Sequence, residues 1–137
     1  MTTDYKKQGK KNRVSGADFE RRVRADLEKE GWIVFKNNNN VINGEYKQGK
    51  AKFNPFTKAL MMNGQGFPDF LCIKHHTGKG IFREVIAVEC KSNGTLSKEE
   101  KEKCEWLLVN NIFYRILIAK KVKEGRKIKV EYKDALI

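Results

Sequence analysis

Val85-Ile86-Ala87-Val88-Glu89-Cys90-Lys91 is an apolar run that ends in two charged residues two positions apart. A β-branched run of this kind, preceded by the turn-forming residues 77–80, predicts a strand over about residues 81–91. Side chains alternate across a strand, so Glu89 and Lys91 share a face. That pair can form a structural ion pair, or it can hold a metal and a polarised water. Upstream, Asp69-Phe70-Leu71-Cys72-Ile73 reads as the preceding strand, and the turn joins the two as a hairpin. Pairing of the hairpin sets Asp69 beside Glu89. Two carboxylates that close repel unless a cation lies between them or one remains protonated. A hard divalent ion with oxygen ligands, magnesium first, is the ordinary solution. Glu-x-Lys alone is a weak signal in so lysine-rich a chain, recurring at Glu45/Lys47, Glu99/Lys101 and Glu131/Lys133. Only the pair at 89 and 91 ends an apolar strand and follows Pro68-Asp69.

Outward from this hairpin, a helix is expected from Ser15, which can cap it, with Asp18 in the first turn and Phe19, Val23 and Leu27 recurring every fourth residue. Gly31 ends it. Trp32-Ile33-Val34-Phe35 is a short strand, closed by Asn37-Asn38-Asn39-Asn40, residues that favour turns and left-handed conformations. Residues 41–67 show no clean period, and a structureless loop of that length is unusual, so a hairpin or short helix is expected within the insert, residues 37–67. Ser97-Lys98-Glu99-Glu100 fits a capping box and opens a second helix, whose stripe is Cys104, Leu107 and Leu108. Residues 112–119 then read as a strand buried on both faces, and 127–132 as an edge strand. Helix, three strands, helix, strand predicts an α/β domain with a mixed sheet between helices.

Composition bounds the partners. The chain has 137 residues, enough for one domain over residues 15–137, and 29 Lys and Arg against 17 Asp and Glu give a net charge of +12. Polyanions are the natural partner of such a field. A hydrophobic share of 39% excludes a disordered basic tail. No apolar run is long enough to span a membrane and no secretory signal opens the chain, so a soluble, cytoplasmic protein is expected. Residues 1–14, rich in lysine, read as a flexible basic arm, with Lys10, Lys11 and Arg13 as phosphate contacts. Lys47, Lys50 and Lys52 in the insert are further candidates for DNA contact. Cys72, Cys90 and Cys104 lack C-x-x-C spacing and read as reduced core thiols. His75 and His76 fall in an expected turn, as solvated residues rather than metal ligands.

Pro68-Asp69 followed by Glu89-Cys90-Lys91 resembles the PD-(D/E)XK nuclease superfamily. Gly66-Phe67-Pro68-Asp69 and Leu96-Ser97-Lys98-Glu99-Glu100 resemble its VRR-NUC branch, while Glu89-Cys90-Lys91-Ser92 and Phe19-Glu20-Arg21 resemble archaeal Holliday-junction resolvases. The resemblance covers roughly residues 15–119. It implies a restriction-endonuclease-like αβββαβ core, the element order read above. It also implies that Asp69, Glu89 and the backbone carbonyl of Cys90 bind Mg2+, for which Mn2+ substitutes. Lys91 then positions and helps deprotonate the attacking water or stabilises charge on the phosphate, and Glu20 completes the catalytic set as a further metal-binding carboxylate. Glu100 stands where the VRR-NUC pattern commonly has glutamine.

The implied activity is metal-dependent, structure-selective hydrolysis of DNA phosphodiesters, with resolution of four-way junctions in recombination and repair as its most specific form. Paired cuts imply a homodimer. No recognition-helix signature, zinc finger or aromatic RNA-binding motif is visible, which leaves recognition by DNA shape. The alternatives are a nuclease of the same superfamily acting on flaps, single strands or restriction targets, and a non-catalytic basic nucleic-acid-binding module. A ribosome- or chromatin-associated protein accounts for the composition and leaves the motif spacing unexplained.

Overall fold

Phe19, Val23 and Leu27 are buried as their spacing predicts, and they seat the first helix on a β-sheet. In a computed structural model, residues 5–63, 66–78 and 80–136 are described, with side chains except at residues 5–7, 9, 10, 12, 13 and 60–63. The elements run α1 (Tyr5–Lys29), β1 (Ile33–Lys36), β2 (Asn40–Ile42), β3 (Glu45–Lys47), β4 (Lys50–Asn54), β5 (Ala59–Asn63), β6 (Phe70–Gly78), β7 (Gly80–Cys90), α2 (Lys98–Val109), β8 (Ile116–Glu124) and β9 (Lys127–Asp134). Five of the strands form a mixed sheet in the order β1-β6-β7-β8-β9. Only β7 and β8 pair in parallel, and α2 supplies the crossover that a parallel pair needs.

The apolar run in β7 is continuous because both faces of its last half are covered. Ile86 and Val88 pack with Phe19, Val23, Leu27, Val34 and Cys72 beneath α1. Ala87, between them, packs on the opposite face with Cys104 and Leu107 of α2 and with Ile116 and Ile118. The fold is therefore α/β, a mixed sheet between two helices. All three cysteines are free thiols; Cys72 and Cys104 are buried and Cys90 half-buried.

Several expectations are corrected. Helix α1 starts at Tyr5 and not at Ser15, so residues 5–14 of the expected flexible arm are helical, while residues 1–4 lie outside the described residues. No proline interrupts this segment, and its Lys, Gln and Arg residues are good helix formers. Strand β8 begins at Ile116 rather than at 112, because Asn111 takes a positive φ of 58° and Ile112 N–H closes the end of α2 on Leu107 O at 3.0 Å. His75 and His76 lie within β6 and not in a turn; the His76 ring stacks on Phe82 at 4.7 Å and bonds Glu84 at 3.0 Å. Residues 37–40 take no left-handed conformation, the positive φ among the described non-glycine residues falling at Asn43, Lys58 and Asn111. The insert forms two hairpins, β2–β3 and β4–β5. Among the described residues no helix is long and apolar enough to cross a membrane.

Candidate active site

Antiparallel pairing of Phe70 with Val88 brings the residues that flank them, Asp69 and Glu89, together at one end of the sheet. The Asp69 backbone N–H donates to Glu89 Oε1 at 3.1 Å, and the Cys90 N–H donates to Asp69 Oδ2 at 2.9 Å. Each strand end thus holds the carboxylate of the other. Glu89 is 5% exposed and is the only buried polar or charged side chain among the described residues. Burial, then the bond to Asp69 and its negative field, push the Glu89 carboxyl well above the ordinary carboxylate range. A group in that state keeps a proton or takes a cation.

Lys91 projects from the next position but one, and its Nζ lies 2.5 Å from Glu100 Oε2. The other oxygen of Glu100 accepts from the Ser97 N–H at 2.9 Å, while Ser97 Oγ accepts from the Glu100 N–H at 3.1 Å, completing the expected capping box. One carboxylate therefore caps α2 and orients the lysine. Burial works against charge on Lys91, but the bond and field of Glu100 outweigh it and raise its pKa. Burial likewise opposes charge on Glu100, and Lys91 and Ser97 reverse it, lowering that pKa. Lys91 is a fixed cation at neutral pH.

Glu20 reaches the site by way of Lys36. Its Oε2 is 3.1 Å from Lys36 Nζ, which lies 3.8 Å from Asp69 Oδ1 and 5.6 Å from the centre of the Phe70 ring. Burial lowers the tendency of Lys36 to stay charged, but the bond to Glu20 and the field of Asp69 prevail and raise its pKa. Glu20, Asp69, Glu89, Cys90, Lys91 and Glu100 all line one open cavity of about 370 Å³.

Sequence reasoning missed Lys36 and Asn37. Lys36 closes an apolar strand as Lys91 does, a signal available in the sequence once β1 is known to lie beside β6. Asn37 fixes the loop that carries Asp69: its Nδ2 donates to Pro68 O at 2.8 Å and its backbone N–H to Asp69 O at 2.9 Å. Asn39 O accepts from Phe67 N–H at 2.8 Å and its side chain from Gly49 N–H at 3.1 Å. A Cβ at Gly49 or Gly66 would run into the backbone carbonyls of Asn38 and Asn37, so close approach requires glycine at both.

The candidate DNA contacts are dispersed. Lys50 and Lys52 are exposed on β4, and Lys47 pairs with Glu45 at 2.8 Å. Lys11 is exposed on α1, where it lines a groove of about 550 Å³ with Arg22 and Lys121. Lys10 and Arg13 fall within α1, and their side chains lie outside those described.

No group of three or more His, Cys, Asp and Glu converges to hold a metal among the described residues. The smaller set of Asp69 and Glu89 lines the cavity, and the resemblance adds the adjacent carbonyl of Cys90 as an expected third donor. These are hard oxygen donors, and a buried carboxyl beside a second one is the kind of pair that a divalent cation neutralises. Comparison with protein-family models, curated proteins and solved structures found no match.

Proposed function

We propose that the chain is a metal-dependent phosphodiester hydrolase of the PD-(D/E)XK type, with a restriction-endonuclease-like core. Within that class it is a structure-selective DNA endonuclease, and a Holliday-junction resolvase above all. The observation that carries this is Glu89, buried against Asp69 in a polar cavity with the Lys91 ammonium two residues on. A purely cationic DNA-binding surface gains nothing from two adjacent carboxylates, which repel phosphate.

Asp69, Glu89 and the Cys90 carbonyl hold the ion, Mg2+ or Mn2+, which when bound supplies Lewis-acid charge to the phosphate and lowers the pKa of water. Lys91, kept protonated by Glu100, stabilises charge developing on the phosphate and is unsuited to act as the base. Glu20 acts through Lys36, holding a cation beside Asp69 that offsets part of its charge as the backbone approaches. The net charge of +12 supports binding of the phosphate backbone.

Two related cuts in a junction need two sites in matching orientation, so the active species is a homodimer. Ile33, Ile73 and Val85 form an in-register row across β1, β6 and β7, on the sheet face that α2 covers only farther along, and Ile33 remains 62% exposed. This partly exposed apolar row supports pairing of two copies.

Asp69→Asn and Lys91→Ala test the assignment. Each is expected to lower cleavage by at least about 100-fold, as loss of a group that stabilises the transition state does. Affinity for four-way junctions in calcium stays within a few fold. Parallel loss of binding and cleavage contradicts these roles.

A further inference from the structure

Phe56 stands at the turn of the β4–β5 hairpin and is 94% exposed. Such exposure of a large ring at a loop tip forgoes the burial that normally holds a phenylalanine inside. The tip is nonetheless built. Asn54 Oδ1 accepts from Phe56 N–H at 2.9 Å and from Thr57 N–H at 3.4 Å, Pro55 fixes its own φ, and Lys58 takes a positive φ of 53°. A ring presented by an ordered turn loses little conformational freedom when it meets a partner.

The surroundings select the partner. Residues 50–59 read Lys-Ala-Lys-Phe-Asn-Pro-Phe-Thr-Lys-Ala, with three lysines and no acidic residue, and Lys50, Lys52 and Lys58 are all exposed. Strand alternation puts Lys50 and Lys52 on one face of β4 and Phe53, itself half exposed, on the other. Lysines flanking an exposed ring along the chain match a partner that offers phosphates and π-faces together, which is DNA with unstacked bases. The root of the hairpin is tied to the catalytic loop, since Gly49 bonds Asn39 and Asn37 bonds Pro68 and Asp69. At about 3.3 Å per residue, the five-residue strand β4 carries the tip ~17 Å from that root.

We propose that the β4–β5 hairpin is the element that reads branched DNA, with the Phe56 ring stacking on a base left unpaired or unstacked at the branch while Lys58 contacts an adjoining phosphate and Lys52 and Lys50 contact phosphates farther along the strand. It rests on DNA being the substrate, as argued above, and names how a branch is told from a continuous duplex. In a duplex every base is already stacked, so the ring gains nothing there.

The test measures binding in calcium or EDTA, so that it reads recognition without cleavage. Wild type, Phe56→Ala and Phe56→Tyr are compared on a four-way junction, a fork with a single-stranded arm and a linear duplex, with 2-aminopurine at the branch as a stacking probe. Phe56→Ala is expected to lose about tenfold in affinity for junction and fork, and under twofold for duplex. Phe56→Tyr retains wild-type affinity, and Phe56→Ala abolishes the change in 2-aminopurine fluorescence that wild type produces. Unchanged affinity of Phe56→Ala for branched DNA overturns the proposal, as does an equal loss on duplex or an unaltered probe signal. Phe56→Ala that binds DNA as wild type does but loses self-association or vesicle binding assigns the ring to a protein or membrane partner and overturns it also. Asp69→Asn separates the two readings: it should keep the Phe56-dependent binding and probe signal while losing cleavage. Cleavage that persists without a Phe56 effect sinks the hairpin alone, and a Phe56 effect without cleavage of any DNA sinks the nuclease alone.

Discussion

Glu89 is a buried acid held against Asp69 by the ends of two strands, and the proposed cation would offset the repulsion of two adjacent carboxylates. Mg2+ or Ca2+ is therefore expected to raise the melting temperature in a concentration-dependent way, by about 2.7 kcal/mol of stability at 100 times Kd. Glu89→Gln removes this shift and leaves the metal-free protein as stable as wild type or more so, since it replaces a buried ionisable group. A wild-type melting curve indifferent to divalent ions contradicts the donor set. Glu100 offers a finer test because it both caps α2 and holds Lys91. Glutamine can still complete a capping box, so Glu100→Gln keeps the fold, whereas Glu100→Ala costs about 1 kcal/mol in denaturant unfolding. Asp69, Glu89 and Lys91 were legible in the sequence because period-two alternation and hairpin pairing are local rules. Lys36 and Asn37 were not, because their role depends on β1 lying beside β6 across the long insert, which no local pattern records.

At the scale of elements, the sequence disclosed those that bury a periodic stripe: α1 from Phe19 onward, the β6–β7 hairpin, and α2 with its capping box. It misplaced boundaries that no buried side chain fixes. The first turns of α1 carry no apolar period, and the run 112–119 joins an exposed Ile112 to a buried Ile116, which hydropathy alone cannot part. The insert was visible as a long aperiodic segment, but its two hairpins lie outside the main sheet, and among their described side chains Val41 alone enters a core cluster, too little to impose a readable alternation. Strand β9 is tied to α1 by Tyr132, whose hydroxyl donates to Asp26 Oδ2 at 2.6 Å. Burial, then this bond, raise the tyrosine above its ordinary value of 10.0. Above about pH 10 the unfolded chain has lost a proton that the folded chain keeps, so stability falls as pH rises. Tyr132→Phe is expected to cost about 1 kcal/mol at neutral pH. It also flattens the alkaline fall, as equilibrium unfolding from pH 9 to pH 11 will show. An identical slope in the variant contradicts the assignment.

The whole molecule combines a net charge of +12, an acidic cavity at one end of the sheet and an apolar row on one of its faces. Ile33→Glu, on that row, is expected to turn a dimer into a monomer by light scattering while leaving the circular dichroism of the fold intact. Salt should strengthen the pairing of two +12 chains by screening their repulsion, and weaken DNA binding by the same effect. A wild-type chain that is monomeric at high salt contradicts the dimer. The most direct test of the central claim is incubation of purified protein with labelled four-way junction, flap, linear duplex and single-stranded DNA, in magnesium or in EDTA, beside Asp69→Asn. Paired, symmetric nicks in the junction, absent in EDTA and in the variant, are the predicted result; intact DNA in every lane under conditions where the protein binds it contradicts the account.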